Sequence, residues 1–444
     1  MPDQPNIIVL FSDQQRWDTM GCYGQSLDVT PNFDAMAEEG VLFENAFTCQ
    51  PVCGPARSCL QTGKYGTETG CWRNNIALDL DETTLAHWLS EVGYEVGYIG
   101  KWHLASTGGP GYEEVNYRTS PIPEERRGGY KDYWLASDVL EFTSHGYDGH
   151  MFDADNNQVD FVGYRVDCQT DFVLDYLRSR DGDSPFFLFV SYIEPHHQND
   201  HNRYEGPIGS KQMFGDFEVP GDLEGTGGDW RENFADYLGQ CWSIDRNYGR
   251  IRDCLEELGI ADNTLIIYTA DHGSHFCTRN REYKRSCHDG CTHIPLLIDG
   301  PGFEGGLRTD EMVSLLNIPP TIMRAAGAEI PETMHDRPLQ ELMDGADGWR
   351  DDVFMQISES QTGRAVRTKD WKYSVSVPQV QADNDLYYED FLYDLQADPH
   401  ERNNLVDDPD YEHIRATMRQ RLLDYMEEAN EELPEILPAD EAPE

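Results

Sequence analysis

Residues 7–14 read Ile7-Ile8-Val9-Leu10-Phe11-Ser12-Asp13-Gln14. Five apolar residues, three of them β-branched, run into a serine, a carboxylate and an amide. This is the signature of a short strand buried on both faces, with polar groups at its C-terminal end. The pattern recurs. The apolar run 265–269 leads into Asp271-His272-Gly273, and 95–99 into Gly100-Lys101-Trp102-His103-Leu104. Residues 186–193 precede Pro195-His196-His197, and 294–298 form a fifth apolar run. Between these runs, stretches 83–92, 170–177, 236–258 and 318–326 have helical spacing. In the longest, Leu238, Cys241, Trp242, Ile244, Tyr248, Ile251 and Leu255 make one apolar stripe. Strands alternating with helices predict an α/β fold: a large, mainly parallel mixed sheet sandwiched by helices. Polar strand ends are then the natural place for a site.

Working outward, 105–163 is rich in Gly, Tyr, Asp and His with weak periodicity, and reads as long loops over the rim of the sheet. Beyond residue 344 the pattern changes. Runs 353–357, 363–366, 371–377 and 391–395 predict a small antiparallel sheet, and 409–428 a terminal helix. The acidic, proline-rich stretch 433–444 reads as frayed. This divides the chain into a larger α/β domain, 1–345, and a smaller C-terminal α+β domain, 346–444.

The 444 residues carry 82 acidic against 34 basic side chains, a formal net charge of −48, and only seven lysines. The acid is spread along the chain, as on a surface suited to high salt, where screening acts over roughly 3 Å at 1 M. Such a surface excludes nucleic acid and anionic membranes as partners. No apolar run is long enough to span a bilayer. The N-terminal stretch lacks a basic segment followed by a long apolar one, so the expected location is a cytoplasm of high ionic strength. Eleven cysteines, an odd number, argue against a complete disulfide framework and for buried thiols.

The chemistry centres on Cys53-Gly54-Pro55-Ala56-Arg57, followed by Thr62-Gly63. Pro55 suits the first turn of a helix. A nucleophile just before that helix meets the positive end of its dipole, with Arg57 one turn away. Asp13, Gln14, Asp271 and His272 all follow strands, where metal ligands commonly stand. Carboxylates and an amide oxygen favour Ca²⁺ or Mg²⁺, and a histidine admits Mn²⁺. Lys101 and Lys284 persist in a chain nearly emptied of lysine, which argues for buried cations that cannot be exchanged for acid.

The Cys53–Gly63 segment resembles the one in which type I sulfatases, of the alkaline phosphatase superfamily, convert cysteine to the aldehyde formylglycine. The strand-end segments of Asp13, Lys101, His196 and Asp271 stand in that family's order, and Lys284 follows Asp271 by thirteen residues, as in bacterial members. The resemblance runs from Asn6 to about Pro338. Arg367-Thr368-Lys369-Asp370-Trp371-Lys372-Tyr373 and Leu392-Tyr393-Asp394-Leu395, before Asp398-Pro399, look like its small C-terminal domain. One departure is Gln14, where most members have an acid; relatives similar to choline sulfatases and phosphonate monoester hydrolases share it.

The resemblance implies hydrolysis of sulfate monoesters with release of inorganic sulfate. A formylglycine derived from Cys53 would be the nucleophile, on one divalent cation, most readily Ca²⁺, held by Asp13, Gln14, the residue at 53, Asp271 and His272. It implies that Arg57, Lys101 and Lys284 cancel sulfate charge, that His196 or Lys284 protonates the leaving alcohol, and that His103 or the Asp271 side serves as base. A formylglycine-generating enzyme is the implied maturation partner. His145, Tyr147, His150, His197, His201 and Arg203, in loops near these segments, are candidates to grip a sulfated sugar or oligosaccharide. A phosphonate monoester or phosphodiester hydrolase with the same nucleophile is the alternative. An inactive sulfatase-like binding protein is a third reading, and a homo-oligomer is left open.

Overall fold

The computed structural model describes residues 4–108, 114–182 and 184–443. Strand Asn6–Ser12 is buried along its whole length and sits at the centre of an eleven-stranded sheet. It pairs in parallel with Phe186–Ser191 on one side and Thr264–Ala270 on the other. Beyond Phe186–Ser191 come Glu95–Lys101 and Tyr133–Ser137, both parallel. Beyond Thr264–Ala270, strand Leu296–Asp299 runs antiparallel and pairs next with Val41–Phe47, whose other edge takes Leu307–Ser314 in parallel.

The period of two along the central strand sorts its side chains into two cores. Ile7, Val9 and Phe11 face a layer that includes Ala56, Cys59, Leu89 and Ile322, from helices Cys53–Thr62, Leu85–Glu91 and Ile318–Ala325. Ile8 and Leu10 face Phe33, Val173, Ile244 and Tyr248, from helices Pro31–Glu39, Arg165–Ser179 and Trp230–Glu257. The expected mixed sheet between helical layers is therefore present. Among the described residues, no helix is long and apolar enough to cross a membrane.

Three expectations are corrected. The stretch 105–163, read as loops, contains Tyr133–Ser137 and an antiparallel extension made of Asp148–Asp153, Ser144–His145 and Gln158–Val162. Gln158–Val162 buries only Phe161 fully, so its composition carries no apolar run. Val41–Phe47 and Leu307–Ser314, near the opposite edge, are interrupted by acids and an asparagine and were equally silent. The tail read as frayed contains strand Glu435–Leu437, which adds in parallel to Leu386–Asp394. The small sheet, otherwise antiparallel, thus has one parallel edge. Its other strands are Asp352–Ile357, Thr362–Thr368 and Trp371–Val377, with helix Glu412–Glu428 behind them.

The second sheet is tied to the first by buried charge. Lys372, fully buried, contacts Asp289 and Glu401, while Arg367 reaches Asp289 at 3.1 Å. Asp289 opens the short helix Asp289–Thr292, just before the antiparallel strand of the main sheet. Removing one member of such a cluster strands the remaining charges in a dry interior, at about 3–5 kcal/mol. Lys372→Met is therefore expected to lower the urea midpoint markedly; an unchanged midpoint would show that the cluster does not hold the sheets together.

Candidate active site

Strand register builds the site. Ser12 aligns with Ala270, Phe11 with Ser191, and Gly100 with Ser191. The residues that follow therefore converge at the C-terminal edge of four adjacent parallel strands. Asp13, Gln14, Asp271 and His272 are all completely buried there. Gly100 makes the convergence possible: it has φ +112°, and an added Cβ would lie 2.0 Å from the Ser191 carbonyl oxygen.

Cys53 is the first residue of helix Cys53–Thr62, so the helix starts two residues before Pro55 and the candidate nucleophile lies on its first turn. The Gly54 N–H donates to Asn74 Oδ1 at 2.8 Å. Gly63 ends the helix in the left-handed region at φ 73°. Cys53 Sγ lies 2.8 Å from Lys284 Nζ, 3.3 Å from His272 Nε2 and 3.4 Å from Asp13 Oδ1. Burial alone would raise this thiol; Lys101, Lys284 and His272 outweigh it and hold the group well below the usual thiol range.

The two carboxylates differ. Asp13 Oδ2 accepts from Lys101 Nζ at 2.7 Å and from Arg57 Nη2 at 3.0 Å. Burial would raise Asp13, but Lys101, His196 and Arg57 hold it well below the usual carboxylate range. Asp271 is pushed up to about 7, first by burial and then by the charge of Asp13 beside it. Arg57 is committed to this framework: its Nη1 donates to the Lys101 carbonyl and to Ser191 Oγ. It braces the carboxylates from behind.

The donor set fits a divalent cation. One ligand atom each from Asp13, Cys53, Asp271 and His272 lie within 4.8 Å of one another. Asp271 Oδ1 accepts from the backbone N–H groups of Gln14 and His272, which leaves the buried Oδ2 without a hydrogen bond. Gln14 gives its amide nitrogen to the Tyr204 hydroxyl at 2.5 Å, so its Oε1 is also buried without a donor. His272 Nδ1 lies 2.8 Å from the Gly273 carbonyl, which leaves Nε2 to face the cluster. Asp271 Oδ2, with only Arg57 Nη2 at 3.7 Å, and Gln14 Oε1 are oxygens that a hard cation would satisfy.

A cavity of about 230 Å³ opens over Cys53, with Lys101, His103, His196 and Lys284 in its walls. His196 Nε2 is 3.4 Å from Lys284 Nζ, and its Nδ1 is 3.4 Å from Glu141 Oε2. Burial lowers His196 below the usual imidazole value. His197 instead points its Nδ1 at Asn199 and packs between the rings of Tyr204 and Tyr283. Of the sugar-binding candidates, His145, Tyr147, His201 and Arg203 line a separate hollow of about 380 Å³. There the His145 and His201 rings stack at 4.3 Å, His145 meets Asp200 at 2.8 Å, and Arg203 pairs with Glu205. His150 packs edge-on against Phe152 on strand Asp148–Asp153.

Sequence reasoning missed Asn74, Arg118, Glu141 and Glu359, all in the cavity wall. They lie in segments with no periodicity or motif. Glu359 comes from the turn after Asp352–Ile357, pairs with Arg285 and accepts from the Asn74 N–H, so the second sheet contributes directly to the site.

Residues 5–328 match the family model described as Sulfatase. The chain belongs to the sulfatase family. Residues 281–428 also match the model described as N-sulphoglucosamine sulphohydrolase, C-terminal. Among relatives, an Ulvan-active sulfatase of Formosa agariphila is 28% identical over 448 residues, covering 97% of this chain and 83% of its own. An N-acetylglucosamine-6-O-sulfatase of Bacteroides thetaiotaomicron is 25% identical over 516 residues, covering 97% and 87%. The crystal structure of the sulfatase yidJ from Bacteroides fragilis superposes with a TM-score of 0.80 at 24% identity, over 97% of each chain, and shares the fold. This sulfatase is a sulfuric ester hydrolase with a candidate metal site at its strand ends.

Glu141 also accepts from Asn199 Nδ2 at 3.0 and 3.1 Å, which fixes it behind His196. A carboxylate this close to an imidazole commonly favours its protonated form by about 10–100-fold. Glu141→Gln is expected to lower kcat in that range with little change in melting temperature; unaltered kcat would remove Glu141 from the machinery.

Proposed function

We propose that the protein hydrolyses a sulfate monoester on a sugar or oligosaccharide and releases inorganic sulfate, with Cys53 converted to formylglycine by a separate maturing enzyme. The observation that carries this reading is the surroundings of Cys53: a buried helix start within 3.4 Å of Lys284, His272 and Asp13. The hydrated aldehyde would supply two hydroxyls on one carbon, one to attack sulfur and one to expel sulfate. The relatives named for ulvan and for N-acetylglucosamine-6-O-sulfate support a sugar substrate.

Asp13, Gln14, Asp271 and His272 would hold the cation, for which calcium is the preferred reading from their mostly oxygen donors. When bound, it would neutralise charge on the sulfate oxygens. Lys101 and Lys284 add positive charge on the cavity side. Either Lys284 or His196 delivers a proton to the leaving alcohol, and His103, in the wall with its Nδ1 buried and unpartnered, is a base candidate. The division at 345/346 remains our reading of the chain, with Glu359 reaching from the smaller part into the cavity. Net charge −48 supports work at high ionic strength.

Cys53→Ala is expected to lower turnover by about 10⁴-fold or more, and mass spectrometry of the peptide spanning position 53 is expected to show the aldehyde. An unmodified cysteine in fully active enzyme would overturn the reading. Chelation is expected to abolish turnover and added calcium to restore it, while Gln14→Leu weakens calcium binding in titration calorimetry. Gln14 also gives the phosphonate alternative its support. An aryl phosphonate assayed beside an aryl sulfate separates the two, and metal binding without turnover of either would mark a binding protein.

A further inference from the structure

The cavity over Cys53 has one cationic wall residue whose role the sulfate group does not explain. Lys101 is held by Asp13, Lys284 lies against Cys53, and Arg285 is paired with Glu282 and Glu359. Arg118 is different. Its Nη2 donates to the neutral Asn75 Oδ1, its guanidinium lies 5.9 Å from the centre of the Phe142 ring, and it makes no ion pair among the described residues. In a chain with 82 acidic side chains against 34 basic ones, a half-buried guanidinium with no carboxylate partner among the described residues stands out. By contrast, Arg203, the arginine that the sequence suggested for sugar binding, pairs with Glu205 in the other hollow.

The placement of Arg118 is also specific. Asn74 accepts from the Gly54 N–H at the start of the nucleophile's helix, and the next residue, Asn75, orients Arg118. Asn75 is itself in the left-handed region, at φ 62°. Phe142, 49% exposed, and Arg118 both line this cavity. An aromatic face suits the C–H surface of a sugar ring, and a guanidinium fork suits a planar or tetrahedral oxyanion.

We propose that Arg118, oriented by Asn75 and flanked by Phe142, forms a subsite for a second anionic group of the substrate, a carboxylate or a further sulfate on the same or the adjoining sugar. The preferred substrate is then a polyanionic saccharide rather than a singly sulfated neutral one. This rests on the sulfate-ester reading of the Cys53 cavity. The ammonium groups near Cys53 engage the ester that is cleaved, and Arg118 engages the group that is retained.

The test measures kcat/KM for the mature enzyme on three substrates: a singly sulfated neutral sugar, the same sugar joined to a uronic acid, and its disulfated form. Wild type is expected to favour at least one charged substrate. Arg118→Gln is expected to reduce that preference by about 10–100-fold, chiefly through KM. Arg118→Lys should keep part of it, as a point charge without the fork. Preference for the uronate or for the disulfate says which oxyanion is read, and either supports the subsite. Equal kcat/KM on all three, or a preference that Arg118→Gln leaves intact, overturns it while the sulfatase reading stands. A wild-type enzyme inactive on every sulfate ester overturns the underlying reading, and the subsite with it.

Discussion

Asp13 is completely buried, and it stays charged because Lys101 and Arg57 both bond its Oδ2. Burying three charges this way costs several kcal/mol per ion unless the geometry compensates. The compensation dictates the local structure. Arg57 reaches Asp13 because the helix from Cys53 starts where it does, and because Ser191 and the Lys101 carbonyl occupy its other nitrogen. Lys101 reaches Asp13 because Gly100 lets its strand end lie against Ser191. A side chain at 100 would push the ammonium away and leave Arg57 as the remaining cation on the Asp13 carboxylate. Asp271 then becomes the second acid in a space already balanced for one, and burial, with the Asp13 charge added to it, pushes it up to about 7. A divalent cation would relieve this.

The second sheet is more than an appendage on this account. Lys372 and Arg367 fix Asp289 from behind, while Glu359 engages both Arg285 and the Asn74 N–H on the cavity side. Lys284 stands next to Arg285 in the chain, so the segment that brings an ammonium to Cys53 is held by an acid from the other sheet. The apolar residues Phe354, Val366 and Tyr373 of the second sheet join the same core as Ala56 and Leu60 of helix Cys53–Thr62. Loss of the small sheet would therefore loosen both the charge framework and the packing under Cys53.

How much of this was legible follows from burial. The central strands, hidden on both faces, must be apolar throughout, and their polar terminators stood out: Asp13, Lys101, His196 and Asp271 were all readable for that reason. The strands toward the edges were not. Gln158–Val162 alternates with solvent, and Val41–Phe47 and Leu307–Ser314 mix acids into the run, so composition alone resembled loop. The cavity wall was silent for another reason. Asn74, Arg118 and Glu141 come together only in three dimensions, with no spacing that marks them. Histidine-rich loops drew attention to His145 and His201, yet those residues pair with acids in a hollow of their own.

Lysine use sharpens the electrostatic argument. Of seven lysines, Lys101, Lys284 and Lys372 are buried, at 2% exposure or less, and each touches an acid or Cys53. The protein keeps its ammonium groups where they balance interior charge and covers its exterior with acid. In dilute salt that exterior repels an anionic ester before it reaches the cavity. At 1 M the screening length shrinks to about 3 Å, and long-range repulsion fades. Buried pairs are screened far less, since no ions enter their surroundings. High salt would thus lower the repulsion outside while leaving the paired interior charges of the proposed anion-binding cavity intact.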